Sequence, residues 1–235
     1  SQSDQFNGRL GLIFASIGAA IGTGNIWRFP RMVGANGGGT FLIPWLIFLF
    51  AWSIPLVIAE YAMGKRSRTG TIGTFRIFAG RRFAWMGLWT AWISTAIGFY
   101  YAVVSGWTLK YFQLGITGAL NGEGVDTTEV WNAFLQSPGQ VIFFQFIVIL
   151  LVLGTIWKGA KAIEKVNFYL MISLFALLFL TLFLSLWMDL SDGSLDGALF
   201  MFTVDFDMLM EPEVWINGLS QSAWSCSAGM GMCIT

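Results

Sequence analysis

The 235 residues predict an all-α integral membrane protein, on three features of the chain. Hydrophobic residues make up 56% of it and charged residues only 11%, against roughly 25% in an ordinary soluble domain. Apolar stretches such as 41–63 and 141–157 carry almost nothing with which to face water. Most of the 13 bases and 13 acids are segregated into alternate connecting segments. This composition argues against soluble enzymes, nucleic-acid binders and disordered tails. Histidine, the commonest general base and metal ligand, is absent, and no CxxC or nucleophile motif replaces it, so no enzyme is expected. Cys226 and Cys233 read as buried thiols.

At about 20 apolar residues per crossing, spans are predicted near 9–33, 40–64, 83–112, 139–157 and 166–188, with an incomplete sixth over 213–235. The first is broken near 19–24, and 1–235 is read as a single transmembrane domain. The first span has no basic leader or cleavage site and carries Arg28, so it is expected to be retained. The sixth stops at Thr235 without a polar flank, which predicts an incomplete or split chain.

With the amino terminus cytoplasmic, the inner segments hold Arg9, then Lys65, Arg66, Arg68, Arg76, Arg81 and Arg82, then Lys158, Lys161 and Lys165, 10 of the 13 bases. The outer segments hold Glu123, Asp126 and Glu129, then the acids from Asp189 to Glu213. Bases inside and acids outside give one consistent topology across a plasma (cytoplasmic) membrane. Tryptophans near span ends, Trp85, Trp89 and Trp187 among them, read as interface anchors. The outer loops around 113–137 and 189–211 are long enough to fold over the outer face. The basic segment 65–82, interrupted by Gly70, Gly73 and Gly80, is either a short helix on the membrane surface or a solvated charged face.

Two spans depart from a plain bundle. The first reads Ile17-Gly18-Ala19-Ala20-Ile21-Gly22-Thr23-Gly24-Asn25-Ile26-Trp27-Arg28-Phe29-Pro30, with three glycines, an amide and a guanidinium at membrane depth. Each glycine weakens a helix by about 1 kcal/mol against alanine, and an intramembrane arginine costs a few kcal/mol unless it meets a partner or water. One glycine alone reads equally as helix packing through small residues. Non-helical backbone survives in a bilayer only where protein buries it or it lines a cavity, and its freed amides and carbonyls then become ligands. The sixth span repeats the pattern in Ser220-Gln221-Ser222-Ala223-Trp224-Ser225-Cys226-Ser227-Ala228-Gly229-Met230-Gly231. Paired interrupted spans, five helices apart, fit an inverted-repeat transporter with its site at midplane. Half-helix amino termini attract a carboxylate and unwound carbonyls replace the water of Na⁺, so such a break accepts a zwitterion together with a cation.

The motifs are specific: GxGNIWRFP, then Asn36-Gly37-Gly38-Gly39, Glu60-Tyr61-Ala62-Met63-Gly64, Tyr100-Tyr101, and Gln221…Ser225-x-Ser227-x-Gly229-x-Gly231. In these the chain resembles the neurotransmitter:sodium symporter family, whose structural reference is the LeuT fold. The resemblance runs from about residue 6 to 235 and covers about half of a family member. It implies a LeuT-type inverted-repeat transporter fold, here the first five-helix repeat plus the start of the sixth helix.

It also implies two Na⁺ sites. The first would use the Ala20 carbonyl, the Asn25 side chain and the Ser225 carbonyl and hydroxyl, completed by the substrate carboxylate; the second would use the Gly18 and Ile21 carbonyls and an eighth span that this sequence lacks. The substrate carboxylate would meet the Thr23 and Gly24 amides and the Tyr101 hydroxyl. Ala19, Ile97, Ser227 and Met230 would border its side chain, Trp224 would close over it, and Arg28 resembles an outer-gate arginine whose acidic partner lies on a tenth span. Asn25 and Tyr101 also read as a packing amide and an ordinary buried phenol, and Trp224 as simple packing. Glu60 reads as structural, hydrogen-bonding a broken helix. Gly22 stands where monoamine carriers of the family have aspartate, so a substrate with a free carboxylate is expected, namely an amino acid.

Departures from the family pattern are Trp224 where phenylalanine is commoner, Ala162 and Ile172 where a glycine and a proline help the fifth span unwind, and Ser3 and Phe6 where an inner latch is usual. The function expected is sodium-coupled import of an amino acid by alternating access. The alternative is a non-transporting half, or a subunit that assembles with a separate chain carrying the later spans. The bilayer and the remaining transporter helices, in the same or another chain, are the expected partners, and nucleic acid is not.

Overall fold

The computed structural model describes residues 17–18, 24–120, 124–157, 159–193 and 195–231. Helix dominates, and no strand is present among the described residues. Four helical segments are long and apolar enough to cross a bilayer: Gly39–Ser67, Arg81–Ile116, Pro138–Ile156 and Ala162–Ser191. They fall on the second to fifth predicted spans. Of the break expected at 19–24 only Gly24 lies within the described residues, and Ser3, Phe6, Arg9 and Cys233 lie outside them.

Two compact units are distinguished. The first, Trp92–Ile163, holds most of α5 (Ala84–Ile116), together with α6 (Thr127–Leu135) and α7 (Pro138–Ile156). Gly106 lets α5 approach α7, since a Cβ there would stand 3.0 Å from the Gln145 backbone nitrogen. Trp107, Trp131, Phe134 and Phe144 follow as a chain of ring contacts with centroids 5.1–6.2 Å apart. Asp126 caps α6, its carboxylate accepting from the Thr128 amide at 2.8 Å and the Glu129 amide at 3.4 Å. Those two amides, Thr128 first, hold its carboxyl below the usual value of 3.8.

The second unit holds the described residues of Phe6–Ala91 and Glu164–Thr235. A π-helical turn, Gly24–Arg28, runs into α1 (Phe29–Ala35), and the chain then reverses into α2 (Gly39–Phe48). A second π-helical turn, Leu49–Ser53, joins α2 to α3 (Ile54–Ser67), so the second span is one continuous helical path with a local widening to i→i+5 hydrogen bonds. A short α4 (Gly70–Ala79) leads to the start of α5. The fifth span, α8 (Ala160–Asp192), is unbroken for 33 residues, passing straight through Ala162 and Ile172. At 1.5 Å per residue it is about 50 Å long, well beyond the ~30 Å hydrocarbon layer. Beyond it, α9 (Asp196–Phe200) and α10 (Phe206–Leu209) precede α11 (Pro212–Cys226), the described part of the sixth span.

The triple glycine does two jobs. Gly37 and Gly38 adopt positive φ of 74° and 61°, which reverses the chain between α1 and α2 without a Cβ penalty. At Gly39 a Cβ would stand 2.6 Å from the Thr203 carbonyl oxygen, and at Gly38 it would overlap the Phe200 carbonyl. The loop after α9 therefore lies directly on this turn, and the Asp205 amide donates to the buried Thr40 hydroxyl at 2.8 Å.

Gly39→Ala should lower stability by about 1–3 kcal/mol through overpacking, whereas Gly34→Ala, whose Cβ meets nothing within 4 Å in a helix, should add about 0.5–1 kcal/mol. Thermal unfolding of both variants in detergent checks the opposite signs. The Asp126 cap makes a pH prediction as well. Because its folded pKa is depressed, its contribution is complete above the ordinary carboxyl range and is lost as the pH falls through the depressed value. Protection of the Thr128 and Glu129 amides, measured as exchange relative to the intrinsic rate at each pH, should fall on that acidification, and Asp126→Ala should show the lower protection already at neutral pH.

Candidate functional site

Helix α11 begins with Pro212 and an acid, Glu213, in its first turn, both suited to a helix amino terminus. Its main neighbour is α2. At the crossing, a Cβ on Gly218 would stand 3.0 Å from both Pro44 Cβ and the Trp45 nitrogen, so glycine sets the closeness of the two helices.

That closeness brings a ladder of polar side chains from α11 onto the first two spans. Asn217 donates to Asn36 Oδ1 at 3.0 Å, and Ser53 Oγ donates to Ser222 Oγ at 2.9 Å. Gln221, fully buried, accepts through Oε1 from the Arg28 guanidinium, which also donates to Ser220 Oγ at 3.2 Å. The same guanidinium lies 6.0 Å from the centroid of the Trp224 ring, at the outer edge of a cation–π contact. Arg28, Gln221, Ser220 and Trp224 thus form one group.

Below it, Asn25 and Ser225 pair reciprocally. The Asn25 amide donates to the Ser225 carbonyl at 3.1 Å, and the Ser225 hydroxyl donates to Asn25 Oδ1 at 2.8 Å. Trp45 Nε1 reaches Ser225 Oγ at 3.3 Å, and Gln221 Nε2 stands 3.4 Å from both Asn25 Oδ1 and Ser225 Oγ. A hydroxyl has one proton and two lone pairs, so these contacts use all of Ser225 Oγ. Three uncharged oxygens, Asn25 Oδ1, Ser225 Oγ and the Ser225 carbonyl, converge at the carboxyl-terminal, electronegative end of α11. A hard monovalent cation takes oxygen ligands of this kind, and the set fits one.

Beyond Ser225 the sixth span unwinds. Ser227 is left-handed at φ 52°, with its amide on the Trp224 carbonyl at 3.3 Å and the Ala228 amide on the Ala223 carbonyl at 2.9 Å. This is a Schellman ending with serine where glycine is usual, and Gly229 and Gly231 follow at φ 81° and 70°. Glu60, 4% exposed in α3, accepts from the Gly231 amide through Oε1 at 3.3 Å. A Cβ at Gly231 would come within 2.8 Å of the Thr71 methyl.

Of the residues singled out from the sequence, Asn25, Arg28, Trp224 and Ser225 are brought together, and Ser227 and Met230 lie on the unwound stretch beside them. Gly24 lies in the π-helical turn with Asn25. Gly18 is helical, and a Cβ there would touch Met171 of α8 at 3.4 Å. Ile97 and Tyr101 lie on α5 in the other unit. Ala19, Ala20, Ile21 and Thr23 lie outside the described residues. Reading the sequence missed Gln221, Ser220 and Trp45 as members of the site. The available signal was a glutamine in an apolar span, one helical turn before Ser225.

A family model described as the Sodium:neurotransmitter symporter family matches residues 3–134 and 135–235. An uncharacterized sodium-dependent transporter, YhdH of Bacillus subtilis (strain 168), is 30% identical over 98% of this chain and 51% of its own. The sodium-dependent neutral amino acid transporter SLC6A17 of Rattus norvegicus is 31% identical over 96% of this chain and 35% of its own. The crystal structure of MhsT in complex with L-phenylalanine matches with a TM-score of 0.84 and 33% identity, covering 99% of this chain and 53% of that one. The chain spans about half the length, or less, of these relatives.

The Arg28–Gln221 contact predicts an energetic coupling. Arg28→Met and Gln221→Met should each destabilise, and the double variant should lose less than the sum by about 1.5–3 kcal/mol, the range for a hydrogen bond to a charged group. Chemical unfolding of the four proteins in one detergent measures it. Additivity within about 0.5 kcal/mol would remove the contact from the site.

Proposed function

The chain belongs to the sodium:neurotransmitter symporter family, and from that premise we propose that it carries the ion and substrate site of a sodium-coupled symporter importing an amino acid by alternating access. The observation that carries this reading is the convergence of Asn25 and Ser225 at the end of α11. Sodium is cargo and coupling ion here, not a resident cofactor. To enter, it has to displace the Asn25 amide from the Ser225 carbonyl and draw Ser225 Oγ away from the Trp45 or Gln221 donor. The substrate carboxylate completes its shell, beside the amides of Thr23 and Gly24 and the Tyr101 hydroxyl. Because ion and carboxylate share a centre, each lowers the cost of binding the other, typically by 1–3 kcal/mol.

A second ion is held by the Gly18 and Ile21 carbonyls together with helices outside these 235 residues, in the same or another chain. Arg28 and Trp224 form the outer gate, linked through the contact between guanidinium and ring. Ala19, Ile97, Ser227 and Met230 border the substrate side chain. The similarity to a neutral amino acid transporter and to MhsT, whose structure is a complex with L-phenylalanine, supports a neutral amino acid, and L-phenylalanine is the first probe. The membrane is the plasma membrane with the amino terminus cytoplasmic, supported by the 10 of 13 bases on the inner segments.

Asn25→Leu removes an oxygen ligand and places a branched apolar group in the ion's position. L-phenylalanine affinity in the complete transporter should then lose its dependence on sodium across a titration. Ile21→Val keeps its carbonyl and should leave the dependence intact, the side-chain change costing only about 0.5–1.5 kcal/mol of stability. A parent-like sodium dependence in Asn25→Leu would overturn the assignment.

A further inference from the structure

Helix α4 is inside out for a segment bathed in water. Its inner side is polar: Thr74 is fully buried with its hydroxyl on the Gly70 carbonyl at 2.7 Å and against Ser67 Oγ, and Thr71 is buried against Gly87 and the unwound stretch at Gly231. Its outer side is apolar, with Ile72 46%, Ile77 57% and Phe78 44% exposed. A solvated charged face would carry the opposite distribution. Phe83 and Trp85, just beyond the helix, are exposed as well.

Bases frame this apolar side. Lys65, Arg66 and Arg68 precede the helix, Arg76 lies on it, and Arg81 and Arg82 follow; all six are exposed, and no acid occurs between Glu60 and Glu123. Arg66 places its guanidinium 5.8 Å from the Phe78 ring centroid, so charge and apolar surface belong to one patch. The inner side is already committed to Thr71 and Thr74 contacts within the protein, which leaves the outer side for a partner. That partner has to accept aromatic and branched apolar groups at shallow depth and present negative charge around them. We propose that α4 with its flanking bases is a docking surface for anionic phospholipid, Ile72, Ile77 and Phe78 entering the acyl boundary while the six bases hold lipid phosphates. Interfacial helices bind in this way, by apolar burial together with attraction to anionic headgroups. Arginine suits the phosphate because its planar fork donates two parallel hydrogen bonds.

The test is hydrogen–deuterium exchange of the full chain in nanodiscs of phosphatidylcholine alone or with added phosphatidylglycerol. Exchange over 70–79 should be slower by about tenfold in the anionic discs, and the difference should shrink between 0.1 M and 1 M salt as the Debye length falls from ~10 Å to ~3 Å. The control is α6, which has acids nearby and should exchange alike in both lipids. The variant Arg76→Gln/Arg81→Gln/Arg82→Gln should lose the difference while keeping α6 exchange unchanged, which separates lost lipid contact from lost folding. Equal exchange over 70–79 in the two lipids would overturn the proposal and assign the apolar side to neutral membrane or to another part of the transporter.

Discussion

Inside a bilayer, every amide and carbonyl freed by an unwound stretch of helix needs a partner that water does not supply there, and the stretch from Ser227 to Gly231 imposes that demand on its surroundings. The Ala223 and Trp224 carbonyls are met by the chain's own Schellman turn, the Ser225 carbonyl by the Asn25 amide, and the Gly231 amide by Glu60. This accounts for an acid, 4% exposed, in the middle of an apolar helix. The proposed ion site lies at the same place, since the oxygens that close the break are the oxygens it would use.

The approach of α11 to the first two spans follows from the same demand. Gly218 removes the Cβ that would hold α2 away, and the polar ladder from Asn217 to Ser225 then reaches Asn36, Arg28, Ser53, Trp45 and Asn25. A part-buried guanidinium at this depth is tolerable because Gln221 and Ser220 accept its hydrogen bonds and the Trp224 ring lies beside it. Tryptophan is the strongest cation–π partner of the aromatic side chains, so Trp224 makes a better neighbour for the Arg28 guanidinium than the commoner phenylalanine would.

The glycines divide by task. Gly37 serves conformation, Gly39 and Gly218 serve close approach, and Gly38 and Gly231 serve both. Glycine in the sequence signals an interruption in each case, but the task depends on which backbone lies opposite.

The sequence by itself determined the fold class, the four long apolar spans and the interruption of the sixth helix, because bilayer thickness fixes the length of an apolar run and a glycine-rich polar stretch within one is costly wherever it packs. Asn25 stood out for the same reason, a polar group at membrane depth having few roles, whereas Ser225 was reached through the resemblance. The Asp126 cap and the left-handed ending at Ser227 came from the structure, although both are local to the chain. The tertiary structure alone decided that Gln221 joins Arg28 to the Asn25–Ser225 pair, that Trp45 reaches Ser225, and that α4 buries threonine and exposes isoleucine. Arg28 and Gln221 are 193 residues apart, and whether a side chain meets a partner at such a separation is set by helix crossing and rotation. Hydrophobic content alone leaves both open when a helix is apolar all round.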